Sequence, residues 1–478
     1  MNRLYGEPEM RRLKSRERLS NGMYCAPQVF SEGGEWPGDW QGRALLALAC
    51  HYKMAPTQEE RDSIYLQAKE ILTLLPEHTN EGGYFGEPFD ENMVNEQQLS
   101  GNSWFLRGLC MWYEITADKN IYRRLERITQ SLLFHLVNAY RRYPSEKREE
   151  GAVDGHLQKE TINGWRLSSD VGCAFIMLDG ITDVYATTKN AQLAAVICVM
   201  IGEFSKIDFV ESNCQTHATL TAARGIFRFY RTTGDKQYLD MAENIFQRYC
   251  DKGMTANFAN FNWFGKPFWT EPCAIVDSLL LAVQLFHETS KYLYAQLAHR
   301  IYINAFRRAQ RPNGGAGCDS CLCESEKELK VLMYEAFFCC TMRYAEGLLC
   351  VYENTLFEEN GKKFLLFHEQ CSDEKTVVNI AKSNNEKHFS VEGDGVNVKI
   401  YVPEYSKCDR KVVDGFVSAF QGEEVTLTDI KSTKKLSGLK VDMCGDEVLL
   451  KDEEGEAGNW QNCLSMPEEE AGKKVWRV

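Results

Sequence analysis

The 478-residue sequence has no long apolar run and no excess of positive charge. The first absence argues against a membrane protein and the second against a nucleic-acid-binding protein. No window of about 18 consecutive apolar residues occurs, so we predict no transmembrane helix and no membrane partner. Asp and Glu (68) outnumber Lys and Arg (55), which gives a formal net charge of -13. Because an acidic surface repels phosphate backbones, we expect no nucleic-acid partner.

The first residues, MNRLYGEPEMRRLKSRERL, carry basic side chains but lack the apolar core of a secretory signal. The 18 cysteines are scattered through predicted helices and do not follow the pattern of a small disulfide scaffold. Both features favour free thiols in a reducing compartment. We therefore expect a cytoplasmic protein.

Paired helices are predicted from Trp36 to about Tyr352, where apolar residues recur at spacings of three and four. One element is repeated at intervals of roughly 45 to 70 residues: an aromatic-rich helix, a Thr-containing polar turn and a second helix. Such hairpins can stack as an open solenoid or close into a ring. The copies begin near His51, Met111, Asp183, Phe229 and Leu285.

The pattern changes after Glu353, where β-branched and aromatic residues alternate between Gly, Asp and Asn turns, as in HFSVEGDGVNVKIYVP. This texture predicts strands that form a β-sandwich. We therefore predict a mainly α domain over residues 1–355 and a β-sandwich-like domain over residues 356–478.

Two adjacent cysteines, Cys339 and Cys340, lie in the apolar stretch EAFFCCTMRYAEG. A disulfide between neighbours is strained, so the pair indicates buried thiols, metal ligands or a nucleophile. The stretch WTEPCAIVDS places Glu271 and Cys273 at the predicted start of a helix, where free amides favour anions. Three thiolates and one carboxylate would suit tetrahedral Zn²⁺, although Glu271 could instead belong to helix capping.

A second cysteine cluster, in GGAGCDSCLCESE, offers a competing set of metal ligands. Cys318, Cys321 and Cys323 could join one cysteine of the adjacent pair in an ordinary structural zinc knot. Spacing alone does not decide between the two ligand sets.

Loops rich in Gly and aromatic residues separate the hairpins, as in EGGEWPGDWQGR and ANFANFNWFGKPFW. If they gather at one end of a ring, they line a pocket whose aromatic walls and few carboxylates suit a sugar. Asp39, Trp40 and Trp263 are accordingly candidate substrate-binding residues. The alternative is that the tryptophans only anchor the loops.

Taken together, WPGDWQGRALLAL, the hairpins, HATLTAARGIFRFYRTTGD, WTEPCAIVDS and the cysteine pair resemble the β-L-arabinofuranosidase family of glycoside hydrolases. The resemblance spans residues 33–352 and implies an (α/α)6 barrel followed by a β domain. It implies Zn²⁺ held by Glu271, Cys273, Cys339 and Cys340. It also implies that Cys339 is the nucleophile of a retaining hydrolysis through a thioglycosyl intermediate, on plant-derived furanosides or related sugars.

A retaining mechanism needs a proton donor for the leaving oxygen. Thr255 and Ala256 stand where the resemblance places the catalytic Glu, so that residue is absent here. Asp39, Asp154 and Glu335 are possible replacement acids, and we take Glu335 as a candidate catalytic residue.

The sugar-contacting histidines implied by the resemblance are also incompletely represented. Asn102, in GNSWFLRGL, stands where one is expected, and we take it as a candidate substrate-binding residue. His217, in QTHATL, is a candidate sugar ligand, and its alternative role is that of a capping or core histidine.

Other functions stay open beside hydrolysis of an oligosaccharide or glycoside. The missing Glu favours a non-hydrolytic carbohydrate-binding barrel with a structural zinc. A helical-ring zinc enzyme that alkylates thiols or prenylates would typically use a His ligand, and none of the nine histidines lies beside EPC or CC. Epimerase-like or lyase-like chemistry could use the same barrel, and the β domain could serve as a homodimer contact.

Overall fold

The computed structural model describes residues 2–31, 35–145, 155–383, 386–393, 400–403, 407–408, 412–413, 416–419 and 423–478. Within these ranges, no helix is both long enough and apolar enough to cross a membrane. The α-helices are α1 (Glu7–Leu19), α2 (Asp39–Met54), α3 (Gln58–His78), α4 (Glu96–Thr116), α5 (Lys119–Ser131), α6 (Leu136–Arg141), α7 (Met177–Thr188), α8 (Ala191–Phe204), α9 (Thr216–Thr233), α10 (Lys236–Lys252), α11 (Pro272–Thr289), α12 (Tyr292–Ile301), α13 (Arg307–Ala309), α14 (Cys340–Asn354) and α15 (Glu468–Ala471).

Strands are concentrated in the last quarter of the chain, with short ones in the loops between helices. They are β1 (Arg3–Leu4), β2 (Val94–Asn95), β3 (Leu157–Ile162), β4 (Trp165–Ser168), β5 (Cys318–Asp319), β6 (Glu328–Leu329), β7 (Val331–Met333), β8 (Leu356–Glu359), β9 (Lys362–Leu365), β10 (Cys371–Ser372), β11 (Thr376–Ser383), β12 (Glu386–Gly393), β13 (Ile400–Pro403), β14 (Lys407–Cys408), β15 (Val412–Val413), β16 (Phe416–Ala419), β17 (Glu424–Thr428), β18 (Lys431–Leu436), β19 (Leu439–Cys444), β20 (Glu447–Val448) and β21 (Trp476–Arg477).

Six helices form a closed inner ring, in which α2, α4, α7, α9, α11 and α14 each contact the next, and α14 contacts α2. Each packs against one outer helix, in the same order α3, α5, α8, α10, α12 and α1. This arrangement confirms the predicted (α/α)6 barrel and excludes the open solenoid.

The hairpin between α4 and α5 shows why the repeated sequence element folds this way. Thr116 ends α4 and bonds back to the Trp112 carbonyl at 2.7 Å, which draws its hydroxyl into the last helical turn. Ala117 takes a left-handed conformation (φ 51°), and Asp118 then caps α5 by accepting from the Asn120 amide at 2.8 Å. Because these signals are local, the sequence reveals them.

The inside of the ring contains charge as well as apolar side chains. Arg107 on α4 donates to Asp179 on α7 at 2.9 Å and to Glu346 on α14 at 2.6 Å. Arg224 on α9 donates to Glu346 at 2.8 Å and to Asp277 on α11 at 2.7 Å. These five residues connect five of the six inner helices, and each is at least 95% buried. Buried charges are tolerated only when paired, so the network fixes how the helices meet.

The strand-rich C-terminal region contains a six-stranded sheet (β1-β10-β11-β12-β17-β14) and a five-stranded sheet (β15-β16-β13-β9-β8). In β19, Leu439, Val441 and Met443 are buried while Lys440 and Asp442 are exposed, as a half-buried strand requires. The region confirms the strand-rich C-terminal part of the predicted fold.

The helical and strand-rich parts exchange strands at their ends. β1, from the N-terminus, joins the six-stranded sheet, and β21, at the C-terminus, pairs with β6 in the loop before α14. The helices end at Asn354 and β8 begins at Leu356. The division into domains at residues 355 and 356 stays a prediction.

The connections from each outer helix to the next inner helix are longer and less helical than the sequence periodicity indicates. Three of them contain short strands: residues 79–95, 142–176 and 310–339. Because each outer helix returns the chain antiparallel, the six inner helices run parallel and begin at the same end of the ring. The long connections therefore gather around six helix N-termini, where anions are favoured.

Candidate metal centre and active site

A carboxylate and three thiols converge where α11 and α14 begin. Glu271 is the N-cap of α11 and Cys273 lies in its first turn, while Cys339 is the N-cap of α14 and Cys340 its first residue. One ligand atom of each lies within 4.8 Å of all the others. Cys340 Sγ is 3.4 Å from both Cys273 Sγ and Cys339 Sγ. The backbone of Cys339 is not helical (φ -145°, ψ -65°), which allows adjacent thiols to point to one place.

This donor set fits a metal ion. Zinc–sulfur bonds of about 2.3 Å in a tetrahedron separate the sulfurs by about 3.8 Å, close to the observed 3.4 Å. Burial raises the pKa of the Cys273 thiol well above its usual value, and burial also raises the pKa of the Glu271 carboxyl. A bound cation is therefore needed to keep the Cys273 thiol and the Glu271 carboxyl deprotonated.

The competing zinc knot is not assembled. Among the described residues, no other three His, Cys, Asp or Glu side chains bring ligand atoms this close together. Cys321 Sγ donates to the Asn260 carbonyl at 3.5 Å, and Cys323 Sγ lies 3.2 Å from Ser325 Oγ. Cys318 lines the cavity described below but lies outside the four-ligand set.

Arg43, on α2, is the cation beside the cluster. Its Nη1 lies 3.5 Å from Cys273 Sγ, and its Nε donates to Asp39 Oδ2 at 2.7 Å. The guanidinium stacks on Trp104 at 4.2 Å, and Nη2 is 3.5 Å from His217 Nε2. Asp39, predicted as a substrate ligand, therefore also orients Arg43.

The position of the His217 ring is fixed by the Asp277 carboxylate. Its Nδ1 lies 2.6 Å from Asp277 Oδ2, and Thr221 donates to the same oxygen at 2.9 Å. The imidazole stacks on Trp104 with an angle of 11° between the rings. With Nδ1 directed at Asp277, Nε2 faces Arg43 and the cavity. His217 therefore makes core contacts and also lines the cavity, while its role as a sugar ligand stays a prediction.

A cavity of about 570 Å³ lies over the cluster. Its wall includes Glu271, Cys339 and Cys340 together with the predicted residues Asp39, Trp40, His217 and Trp263, and further aromatic wall residues are Trp36, Trp269, Phe337 and Phe338. The volume accommodates a small glycoside, and the chemistry changes from charged at the cluster to apolar at the mouth, where Phe337 and Phe338 are 41% and 45% exposed.

Two predicted site residues lie elsewhere. Asn102 is fully buried, accepts from the Phe85 amide at 3.0 Å and donates to the Phe85 carbonyl at 3.0 Å, so it fixes a loop. Glu335 pairs with Arg18 at 2.8 Å and accepts from Thr341 Oγ1 at 2.9 Å. Neither side chain is part of the cavity wall.

The positions considered for the missing acid are also accounted for. Ala256 is fully buried outside the cavity wall, and its amide donates to the Leu322 carbonyl at 2.9 Å. Thr255 donates to Asn257 Oδ1 at 2.7 Å. Asp154 lies outside the described residues. A carboxylate at position 256 would therefore be buried outside the cavity wall rather than presented to a substrate.

Sequence reasoning missed Arg43, Asp170 and Asp277. Two of them carried a readable signal. Asp39 and Arg43 are four residues apart on one helix, the spacing of an ion pair. Asp277 is likewise four residues after Cys273 in an otherwise apolar helix, so both face the same side. Asp170 follows β4 in a non-periodic loop and gave no such signal.

Comparison with solved structures identifies the architecture. No family model and no curated protein matches the sequence. A GH127 β-arabinofuranosidase superposes with a TM-score of 0.65 at 10% identity over 95% of this chain and 84% of that one. A GH127 β-L-arabinofuranosidase from Geobacillus stearothermophilus T6 gives 0.63 at 10% identity over 95% and 86%. The chain has the β-L-arabinofuranosidase fold. A further structure described as a glycoside hydrolase gives 0.60 at 11% identity over 92% and 81%.

The likeness to the β-L-arabinofuranosidase fold confirms the resemblance drawn from the sequence, at the level of the fold. It extends through the C-terminal strands, because the aligned region covers nearly the whole chain. At 10% identity it says nothing of the reaction, which has to be inferred from the residues in the cavity.

Proposed function

We propose that this protein is a retaining glycoside hydrolase of the β-L-arabinofuranosidase type, acting on plant-derived furanosides or related sugars. The observation that carries the proposal is the convergence of Glu271, Cys273, Cys339 and Cys340 at the floor of an aromatic-walled cavity. A thiol cluster that only stabilised the fold would not require a substrate-sized cavity above it.

Cys339 is the proposed nucleophile because it is the most accessible of the three clustered thiols. It is half-buried and lines the cavity, whereas Cys340 is 1% exposed and Cys273 is fully buried. Its sulfur attacks the anomeric carbon and forms a C–S bond as the C–O bond to the leaving group breaks. Water then displaces the sulfur, and two inversions give net retention.

Zn²⁺ is the metal that this ligand set suits, since three thiolates and a carboxylate are typical of tetrahedral zinc. When bound, the ion supplies the positive charge that keeps buried thiols deprotonated. Arg43, 3.5 Å from Cys273 Sγ, adds a second positive charge on the protein side. The arginine also keeps the neighbouring Asp39 carboxylate in place.

The sugar is proposed to lie between the cluster and the aromatic walls. His217 Nε2 and Asp39 offer acceptors for hydroxyl groups, while Trp40 and Trp263 offer apolar faces for the ring. The exposed side chains of Phe337 and Phe338, next to Cys339 in sequence, lie at the mouth and would contact the leaving group.

The second candidate function is a non-hydrolytic carbohydrate-binding barrel in which the metal only stabilises the ring. The observation that favours it is the absence of a carboxylate at positions 255 and 256. The two candidates differ in whether Cys339 is chemically activated.

Covalent labelling tests the proposed function. We expect a cyclophellitol-type epoxide with the β-L-arabinofuranose configuration to add its mass to the peptide that contains Cys339, because only an activated thiolate opens the ring. Intact mass spectrometry with peptide mapping measures this, and a panel of other sugar configurations identifies the sugar class. If zinc is bound and no epoxide labels the protein, the non-hydrolytic barrel is the better description.

Metal binding gives a second prediction. Protein prepared under reducing conditions should contain about one zinc per chain, and Glu271→Gln should weaken zinc affinity by about 100-fold or more, since even outer contacts to ligands are worth 10–100-fold. Competition with a chromogenic chelator measures the affinity. Cys318→Ser is the matched control and should retain zinc; loss of zinc from Cys318→Ser but not from Glu271→Gln would favour the knot.

A further inference from the structure

The proposed hydrolysis leaves one role unfilled, that of the group that protonates the departing oxygen. Among the residues that the structure describes, four carboxylates line the cavity wall: Glu35, Asp39, Asp170 and Glu271. Asp39 is engaged by Arg43 at 2.7 Å, and Glu271 belongs to the metal cluster. The Glu35 side chain is 57% exposed at the surface. Of these four described carboxylates, Asp170 is the one that is buried in the wall, lies outside the metal cluster and accepts a hydrogen bond from a cavity tryptophan.

Asp170 is placed by aromatic residues of the cavity. It is 8% exposed, and Trp263 Nε1 donates to its Oδ1 at 3.2 Å. Its Oδ2 lies beside Gly155, where an added Cβ would be 3.3 Å from that oxygen and 3.7 Å from the Trp36 ring. Gly155 has φ +79°, a conformation that favours glycine, and it leaves room for the carboxylate. The carboxylate is thus bonded to one cavity tryptophan, Trp263, and lies beside Gly155, which also adjoins Trp36.

The backbone around Asp170 is fixed to the same framework as the metal cluster. The Gln215 amide donates to the Val171 carbonyl at 3.0 Å, and the Thr216 amide donates to the Asn262 carbonyl at 2.9 Å. In the amide orientation that satisfies both of its neighbours, Asn262 in turn donates to Glu271 Oε2 at 2.5 Å. These three hydrogen bonds connect the loop that contains Asp170 to Glu271, a proposed metal ligand. They fix the position of Asp170 in the cavity wall.

We propose that Asp170 is the general acid and base of the reaction, an inference that rests on the proposed function. In the first step, Cys339 Sγ donates its electron pair to the anomeric carbon, the C–O bond electrons go to the leaving oxygen, and the Asp170 proton neutralises that oxygen. In the second step, Asp170 takes a proton from water, the water oxygen bonds to the anomeric carbon, and the C–S electrons return to Cys339.

Leaving-group dependence tests this role, because a poor leaving group needs the proton and a good one does not. In Asp170→Asn, kcat/KM should fall by about 100- to 10,000-fold on an alkyl β-L-arabinofuranoside or a disaccharide. On the 2,4-dinitrophenyl glycoside, glycosylation should change by less than about tenfold. Azide should accelerate turnover of that substrate and give the glycosyl azide with retained configuration. An equal loss on all leaving groups, or no loss, would overturn the assignment.

Two variants and one measurement separate the alternatives. Glu35→Gln removes a second wall carboxylate to which no other role is given. If the loss of rate depends on the leaving group in Glu35→Gln and not in Asp170→Asn, the role of general acid and base passes to Glu35. Asp240→Asn, at an exposed position on α10, should leave all rates unchanged. Wild-type protein that neither hydrolyses the dinitrophenyl glycoside nor labels at Cys339 would refute the proposed function itself, and with it this role for Asp170.

Discussion

Replacing Cys339 by alanine is expected to lower kcat by about 10⁴-fold or more on every glycoside that the wild-type protein hydrolyses. The reason is that Cys339 is the accessible thiol of the described cluster, whereas Cys340 and Cys273 are buried. Steady-state rates on a nitrophenyl β-L-arabinofuranoside measure the effect, and the zinc content of each preparation is determined in parallel.

Zinc content is part of that measurement because Cys339 is also a proposed ligand. A Cys339→Ala preparation that keeps its metal and loses its rate assigns the loss to the missing nucleophile. Cys198→Ala, which removes an exposed thiol on α8, is the matched control and should be fully active. Full activity of Cys339→Ala would place the nucleophile elsewhere in the cavity.

The substitution Asp277→Asn is expected to destabilise the folded protein by about 3–5 kcal/mol. Asp277 is fully buried and accepts from Arg224 at 2.7 Å, from Arg343 at 2.5 Å and from His217 at 2.6 Å. Without its charge, two buried guanidinium groups lose a counter-ion inside the ring. The shift of the urea unfolding midpoint at pH 7 measures the change in the free energy of unfolding.

The same network predicts a pH dependence with a definite sign. Burial on its own raises the pKa of Asp277, but Arg343, His217 and Arg224 together hold this pKa well below its ordinary value. A lowered pKa stabilises the fold above the unfolded value of about 3.9, and the stabilisation is lost as pH falls further. The stability difference between wild type and Asp277→Asn should therefore shrink below about pH 4.

The exposed pair Asp208 and Arg248 provides the control for this prediction. Its charges are 2.9 Å apart, like those in the ring, but the side chains are 50% and 47% exposed. Asp208→Asn should therefore cost about 1 kcal/mol or less. Equal effects of Asp208→Asn and Asp277→Asn would mean that burial of the network contributes nothing particular to stability.

The hairpins could be predicted because their signals are local. A Thr that ends one helix and an Asp or Asn that caps the next lie within a few residues, as in Thr116 and Asp118, and apolar spacing supplies the rest. The metal set was recognisable for a related reason, since Glu271 and Cys273 are close in sequence and Cys339 and Cys340 are adjacent. Only the pairing of the two motifs required the family resemblance.

The roles of isolated polar residues could not be predicted, because they depend on distant partners. Glu335 lies four residues before Cys339, yet its contact with Arg18 joins residues 317 positions apart and turns it into a scaffold residue. Asn102 bonds to Phe85, 17 residues earlier in the connection that leads into α4. Asp170 bonds to Trp263, 93 residues away, in the cavity wall. Nothing in the local pattern distinguishes these three cases.

The point during synthesis at which the ring can close follows from the pairing of α1 with α14. Asn2 donates to the Tyr352 carbonyl, a contact between residues 350 positions apart. The segment that contains α1 can therefore pack on α14 only after α14 has been synthesised. A chain emerging from the ribosome offers Glu271 and Cys273 well before it offers Cys339 and Cys340. Two donors hold a metal weakly, and long-range contacts form late. If the cluster binds zinc as proposed, capture of the ion is therefore delayed until both ligand motifs have been synthesised and the ring can close.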